Sequence, residues 1–249
     1  MAKRTQSPAS LRASVLERLG HAAVWVLLLL VPLLVMPTAK DAFRLPKLVA
    51  SEWLGLASLI GLAWGLRRVE RLGWSELRSL SPLQAAAPLA LLATLSLATT
   101  AHPQHAARAL PSLLIGAACL VGWSVGLARR AQERLLDVLP VPACLLALLA
   151  ILQFHGIFNP FGSTASTSGR LEIMSLAGNP GDLGAYLVLP CLIAQLALVK
   201  RRGAARWAAG GALLVGLYGL AVTQTLTALA AAGAGSLVLW ALLLPRRRA

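Results

Sequence analysis

The sequence predicts an all-α fold: a polytopic transmembrane helical bundle of about eight spans, with both termini in the cytoplasm. Hydrophobic residues make up 57% of the 249 residues, and the mean hydropathy is +0.72. A soluble core of this size cannot bury so much apolar surface. The apolar residues form long Leu-, Ala- and Val-rich blocks without the alternation typical of membrane strands, which disfavours a barrel.

The formal net charge is +14, which in a soluble protein would suggest a nucleic-acid partner. Here the Lys and Arg residues lie in short clusters between apolar blocks, so we expect the lipid bilayer as partner and no nucleic acid. With the N-terminus in the cytoplasm, all but five of the 23 Lys and Arg residues fall on the inner side, and this bias also predicts an inner C-terminus. The five predicted outer cations are Lys40, Arg44, Lys47, Arg108 and Arg170.

In chain order, residues 1–20 form a basic cytoplasmic segment, and residues 21–249 form the transmembrane domain with an outer loop at 155–180. The first apolar block lacks a small-residue cleavage site after it, so we expect an uncleaved signal anchor. A turn at 223–225 joins the last two spans. The predicted spans are 22–36, 48–66, 83–100, 110–128, 136–154, 181–199, 207–222 and 226–244.

Small residues in the last two predicted spans indicate close helix packing, because they let two backbones approach. These are Gly210, Gly211, Gly216, Gly219, Gly233, Gly235 and Ser236. The three cysteines lie inside apolar blocks without a Cys-x-x-Cys spacing. We therefore interpret Cys119, Cys144 and Cys191 as small buried apolar residues, not as a disulfide or a metal set.

The junction between the outer loop and the sixth span has the residues of a helix start. Asn179 is a good N-cap, Pro180 suits the first helical position, and Asp182 complements the positive end of the helix dipole. Two interpretations are open. These residues only cap a membrane helix, or, together with Arg170, they hold an anion such as a phosphate.

Two more outer cations stand where the second span begins. Arg44 and Lys47 flank Pro46, and the new helix is expected to start there. Their side chains either extend to lipid headgroups or bind a diphosphate headgroup.

The remaining polar candidates are weaker. The pair His102 and His105 has helical metal-ligand spacing but no carboxylate or cysteine nearby, so we expect no metal site. His155, at the membrane rim, is either a base or an interfacial residue. An acid within a span is costly, which makes Glu52 a functional candidate whose partner the sequence does not give.

Three segments occur in an order and spacing that resembles the O-antigen ligase and O-antigen polymerase family of bacterial membrane proteins. They are F-R-L-P-K at 43–47, R-L-E-I-M-S-L-A-G-N-P-G-D-L-G-A-Y-L at 170–187, and T-Q-T-L-T-A-L at 223–229. The segment L-S-L-A-T-T-A-H-P-Q-H-A-A-R-A-L at 95–110 is similar to the exit of that family's third span. The resemblance covers nearly the whole chain.

The resemblance implies a metal-independent glycosyltransferase, with no cofactor, in the bacterial inner membrane. Such proteins transfer a glycan from undecaprenyl diphosphate to a hydroxyl of lipid A core or of another glycan, on the periplasmic side. The family's arginine before G-N-P matches Arg170, and its P-K lysine matches Lys47. With Arg44 and Asn179 these are the expected substrate-binding residues, and no catalytic residue is assigned.

This sequence departs from the family pattern at two points. Thr225-Leu226-Thr227 stands where the family has Ser-Arg-Gly, so a second expected arginine is absent. The family also continues through further spans and a periplasmic loop with a histidine thought to be the base. A general base typically raises the reaction rate about 10²- to 10⁴-fold. Three alternatives are open: a half-length fragment, one member of a pair whose partner chain supplies the missing helices, or a relative that binds lipid without transferring sugar.

Two other classes of function are compatible with the residues. One is a transporter or lipid-binding protein in which Glu52 couples to ions or protons. The other is a non-catalytic scaffold whose short turn and glycines serve helix docking.

Overall fold

The structure is a computed structural model that describes residues 8–36, 42–66, 84, 87, 91, 94, 95, 103–127, 129–160, 173 and 175–243. Within these residues it is all-helical and contains no strand, which confirms the predicted all-α class. A 3₁₀ turn spans Val31–Leu33. The helices are α1 (Pro8–Leu29), α2 (Arg44–Leu66), α3 (Pro103–Gly126), α4 (Arg129–Val138), α5 (Pro140–Phe154), α6 (Pro180–Lys200), α7 (Ala204–Thr223) and α8 (Leu226–Leu243).

In the described part of the chain, four stretches are long and apolar enough to cross a membrane. They are Arg129–Phe154, Pro180–Lys200, Ala204–Thr223 and Leu226–Leu243, and they correspond to the last four predicted spans. Two shorter apolar helices, Arg18–Leu33 and Leu110–Ser124, fall on the first and fourth. The chain is therefore a helical membrane protein, while the count of eight spans and the cytoplasmic termini stay predictions.

Several helices begin before the predicted spans, and α1 and α3 do so at a proline. Helix α1 begins at Pro8, within the basic segment, and ends at Leu29 because Pro32 follows; a proline disrupts the turn before it. Helix α3 begins at Pro103, which we expected to interrupt an outer segment. A proline is well tolerated at the first helical position, because its missing N–H has no partner there in any case.

The chain forms two compact units. The first contains residues 1–28 and 48–132, and the second contains residues 29–47 and 133–249. Helix α2 therefore contributes its first turn to the second unit and the rest to the first. In the first unit, α1 and α2 approach so closely that a Cβ added at Gly61 would lie 2.5 Å from the Cα of Gly20.

In the second unit, α6 packs against α5, α7 and α8, most extensively against α7. The turn between α7 and α8 contains Gln224 and Thr225, one residue fewer than the predicted 223–225, because Thr223 is the last residue of α7. Aliphatic side chains from all four helices, with Ile173 of the preceding loop, form the core. Its buried members are Ala143, Leu146, Ala147, Ala150, Ile173, Leu183, Leu187, Leu220, Val222, Ala228 and Ala232.

The predicted packing role holds for some glycines and is wrong for others. A Cβ at Gly219 would lie 2.5 Å from the Cβ of Ala147, and close contacts also face Gly216 and Gly235. A Cβ at Gly211 or Gly233 would meet nothing within 4 Å, so these two glycines do not bring helices together. Cys119 and Cys191 are buried, as expected, whereas Cys144 is only half-buried; all three are free thiols.

The glycine contacts predict opposite outcomes for two substitutions on the same helix. Gly219→Ala forces α7 away from Ala147 and should destabilise the protein by about 1–3 kcal/mol. Gly211→Ala meets open space and removes a poor helix former, so it should leave stability unchanged or raise it by up to about 1 kcal/mol. Thermal unfolding of both variants in the same detergent measures this, and equal midpoints would contradict the described α5–α7 contact.

Candidate functional site

The start of α6 is built by a side-chain cap, as the sequence predicts. Asn179 is extended, and its Oδ1 accepts a hydrogen bond of 2.8 Å from the backbone N–H of Asp182. The preceding Gly178 has φ +94°, which an L side chain rarely adopts, and a Cβ there would lie 2.6 Å from the Cβ of Phe43. Glycine is thus required both by the turn and by the approach of the chain around residue 43.

Asp182 forms a bidentate ion pair with Arg44. The Arg44 Nε and Nη2 atoms donate to Asp182 Oδ2 and Oδ1 at 2.6 and 2.9 Å. Asn179 Nδ2 also donates to Asp182 Oδ2, at 2.6 Å. The sequence analysis assigned Asp182 only to the helix dipole, where its charge would repel a second anion; the Arg44 guanidinium offsets that charge.

Lys47 lies beside this pair on the first turn of α2. Its Nζ donates a hydrogen bond to the carbonyl oxygen of Leu176, in the loop before α6, and lies 5.9 Å from the centroid of the Phe43 ring. The lysine is half-buried against protein, so it does not simply extend to the lipid headgroups. We call Arg44, Lys47, Asn179 and Asp182 the α6 N-terminal cluster.

A buried polar network fixes the loop that carries the Leu176 carbonyl. Gln153, fully buried on α5, accepts a hydrogen bond of 2.6 Å from the backbone N–H of Ser175. The Ser175 hydroxyl donates to the Leu146 carbonyl at 2.9 Å. Neither residue was predicted from the sequence. The available signal was a glutamine inside the apolar block 136–154, since a polar side chain there needs a partner.

The turn between α7 and α8 reaches the same end of α6. The Thr225 hydroxyl donates to the carbonyl of Pro180 at 3.3 Å. A Cβ added at Gly184 would lie 3.2 Å from Thr223 Oγ1 and 3.1 Å from the Cβ of Ala228. The first two turns of α6 therefore contact both the start of α2 and the turn at 223–225.

The structure thus brings together three of the four predicted substrate-binding residues: Arg44, Lys47 and Asn179. The fourth, Arg170, lies outside the described residues, as do Lys40 and His102. The side chains of His105 and Arg108 are likewise outside the description. In the part of the chain that is described, no group of three or more His, Cys, Asp or Glu side chains is placed to hold a metal ion.

His155 has a specific partner at the end of α5. Its Nε2 and the Tyr218 hydroxyl share a hydrogen bond of 2.6 Å, and the ring of Phe154 meets the imidazole edge-on. Tyr218 lies in α7, 63 residues away in sequence, so sequence analysis could not pair them. The bond orients the imidazole, which is compatible with either earlier interpretation of His155.

Glu52 lies in the first unit and has the partner that the sequence did not give. The Ser112 hydroxyl of α3 donates to Glu52 Oε1 at 2.5 Å. Both residues line a cavity of about 370 Å³ together with Ser51, Cys119 and Trp123. The Ser112 hydroxyl thus gives the Glu52 carboxyl group a hydrogen-bond partner between α2 and α3.

The electrostatics of the α6 N-terminal cluster favour an anion. Its side chains carry two positive charges and one negative charge, and the start of α6 adds the positive end of a helix dipole, although the Asn179 cap occupies the Asp182 N–H. The side chains of Arg44 and Asp182 are 63% and 39% exposed, so a ligand can reach them from outside the bundle. The bond from Lys47 to the Leu176 carbonyl fixes the position of the ammonium.

Comparison of the chain with protein-family models, with curated proteins and with solved structures finds no match. The functional evidence is therefore the geometry of the α6 N-terminal cluster, together with the sequence segments that meet there.

Proposed function

We propose that this chain is an O-antigen ligase- or polymerase-like membrane protein that handles a glycan linked to undecaprenyl diphosphate. The single observation that carries the proposal is that two of the three segments on which the resemblance rests both contact the remaining one, at 170–187. The segments at 43–47, 170–187 and 223–229 are far apart in sequence, yet side chains of the first and third contact the start of α6. If these three segments resembled the family only through their helix propensity, contacts between them would not be expected.

The chemistry of the cluster fits a diphosphate. Phosphate oxygens accept charge-assisted hydrogen bonds from guanidinium and ammonium groups, and the positive end of the α6 dipole favours an anion beside it. In the transfer reaction that the resemblance implies, the acceptor oxygen bonds to the anomeric carbon while the bond to the diphosphate breaks. The leaving diphosphate takes the bonding electrons, and Arg44 and Lys47 are placed to stabilise that growing negative charge.

The proposal places this cluster on the periplasmic face of a bacterial inner membrane. The cluster lies at the start of the predicted sixth span, which the distribution of Lys and Arg puts on the outer side. Arg170 belongs to the same proposed site by its position in the second segment. No residue is assigned as the base that takes the proton of the acceptor hydroxyl, and a partner chain that supplies further helices is part of the proposal.

A second candidate function rests on the bond between Glu52 and Ser112. A carboxylate with a hydroxyl donor beside a cavity, inside an apolar helix pair, is the arrangement expected of an ion- or proton-coupled transporter. This site lies in the first unit, so substitutions distinguish it from the α6 N-terminal cluster.

Two substitutions that break the same ion pair should differ in their effect on diphosphate binding. Arg44→Gln removes a cation and should weaken binding of undecaprenyl diphosphate to the purified protein about tenfold or more, as expected for a charge-assisted hydrogen bond. Asp182→Asn removes the repelling carboxylate and should not weaken it. Equal losses would mean that the pair is only structural.

The lipid alcohol undecaprenol and the variant Arg130→Ala serve as controls for this measurement. Undecaprenol has no diphosphate, so its affinity should be the same for all variants. Arg130 is exposed on α4 and has no role in the cluster, and its substitution should leave binding of the diphosphate unchanged.

In cells, Lys47→Ala and Arg170→Ala should each abolish complementation of surface glycan assembly in a bacterial strain that lacks the native gene. Both remove a cation from the proposed diphosphate site. Lys47→Arg tests whether a positive charge at this position is enough for complementation. The variant keeps the charge, but a guanidinium cannot reproduce the contact of the ammonium with the Leu176 carbonyl. Unchanged glycan ladders with both alanine variants would refute the proposal.

Glu52→Gln separates the two candidate functions in the same assay. The amide keeps an acceptor for Ser112 but removes the charge. Under the glycan-handling proposal the glycan ladder should be unchanged. Loss of function with Glu52→Gln alone, with Arg170→Ala behaving as the wild type, would favour the transporter.

A further inference from the structure

A groove opens at the opposite end of α6 from the N-terminal cluster. It lies among α4, α5, α6 and α7 in the second unit and has a volume of about 640 Å³. Its walls are almost wholly apolar and carry mostly small side chains, among them Val141, Ala194, Ala208 and Ala212. Gly211 also lines the groove, and a Cβ there would meet nothing within 4 Å. The groove therefore has empty space beside Gly211.

An ion pair forms the polar rim of this groove. Arg201 Nη2 and Nε donate to Asp137 at 2.6 and 3.1 Å, and the two side chains are 42% and 44% exposed. A smaller cavity of about 180 Å³ shares both residues and is also lined by Glu133 and Lys200. The ion pair therefore borders both the apolar groove and a smaller cavity of mixed lining.

The chain that follows the rim carries an excess of positive charge. Lys200 lines the smaller cavity, and Arg202 and Arg206 follow Arg201 closely in the chain. All three are exposed, and within the described residues none of them has an ion-pair partner. Among the described residues, the acids that line these two cavities are Asp137 and Glu133. Trp207 follows directly and is 81% exposed, a placement typical of an aromatic side chain at the membrane–water interface.

We propose that this groove binds an acyl chain of an anionic phospholipid, with the phosphate held at Arg201 and the neighbouring cations. A soluble anion would leave the apolar walls of the groove uncovered. An uncharged lipid would supply no negative charge for the excess of cations beside the rim. In an anionic phospholipid, the phosphate would bind the cations at the rim and the acyl chain would occupy the apolar groove between the helices. The inference does not depend on the proposed glycan function.

The test measures how much dioleoylphosphatidylglycerol and dioleoylphosphatidylcholine the purified full chain retains, by native mass spectrometry from mixed micelles. The wild type should retain the anionic lipid in preference to the zwitterionic one, and added salt should reduce that preference. Lys200→Gln and Arg202→Gln should each reduce it about fivefold, the effect of one cation near an anionic headgroup. Equal retention of the two lipids by the wild type would overturn the proposal.

Two matched glycine variants test the groove itself. Gly211→Leu fills it without a backbone clash and should reduce retention of the anionic lipid about tenfold, the effect of about two buried methylene groups. Gly233→Leu adds the same side chain to open space on α8, away from the groove, and should have no effect. If Gly211→Leu is not recovered folded, Ala208→Leu fills the same groove and carries the same expectation.

Two results would contradict the proposal at this step. Equal retention by both leucine variants would show that the lipid binds elsewhere. A change of Gly211→Leu from a dimer to a monomer, with lipid retention unaltered, would show that a second copy of the chain occupies the groove.

Discussion

The ion pair between Arg44 and Asp182 is the interaction on which the proposed site depends. Asp182 stabilises the start of α6 through the helix dipole, yet an uncompensated carboxylate there would repel any anion. Arg44 offsets that charge and joins the first turn of α2 to the first turn of α6. Because both side chains are partly exposed, the pair adds little to stability, about 0–1 kcal/mol. Its importance is that it places two cations and a helix N-terminus together.

The loop before α6 is positioned by hydrogen bonds that a membrane protein must satisfy internally. Gln153 is buried in an apolar helix, where an unpaired amide is costly, and Ser175 supplies the donor for its oxygen. Ser175 in turn bonds to the Leu146 carbonyl, so the loop is fixed to α5 at two points. The Leu176 carbonyl, which receives the Lys47 ammonium, follows directly in the chain. The position of Lys47 therefore depends on a glutamine that has no direct part in anion binding.

The two ends of α6 offer different chemistry to a lipid. At its start, the Asn179 cap follows a turn that requires Gly178, and two cations, Arg44 and Lys47, lie beside it. At its end, Arg201 forms the rim of an apolar groove whose walls are alanine, valine and glycine. A helix dipole favours anions only at the N-terminus, so the second end must rely on side-chain charge alone. The described cations there outnumber the acids, which makes that possible.

The sequence by itself determined the all-helical membrane class, the cap of α6 and the turn at 223–225. These follow from apolar block length, N-cap chemistry and local turn residues, which act within a few positions of the chain. It also indicated Arg44, Lys47 and Asn179 as candidates. Only the tertiary structure decided that Arg44 binds Asp182, that Ser112 is the partner of Glu52, that Tyr218 bonds to His155, and that Gly211 faces open space while Gly219 contacts α5. Each of these contacts depends on the rotation of a helix about its axis, which decides the faces that pack together. Nearly uniform Leu and Ala blocks do not specify that rotation, so it is set only when the helices pack.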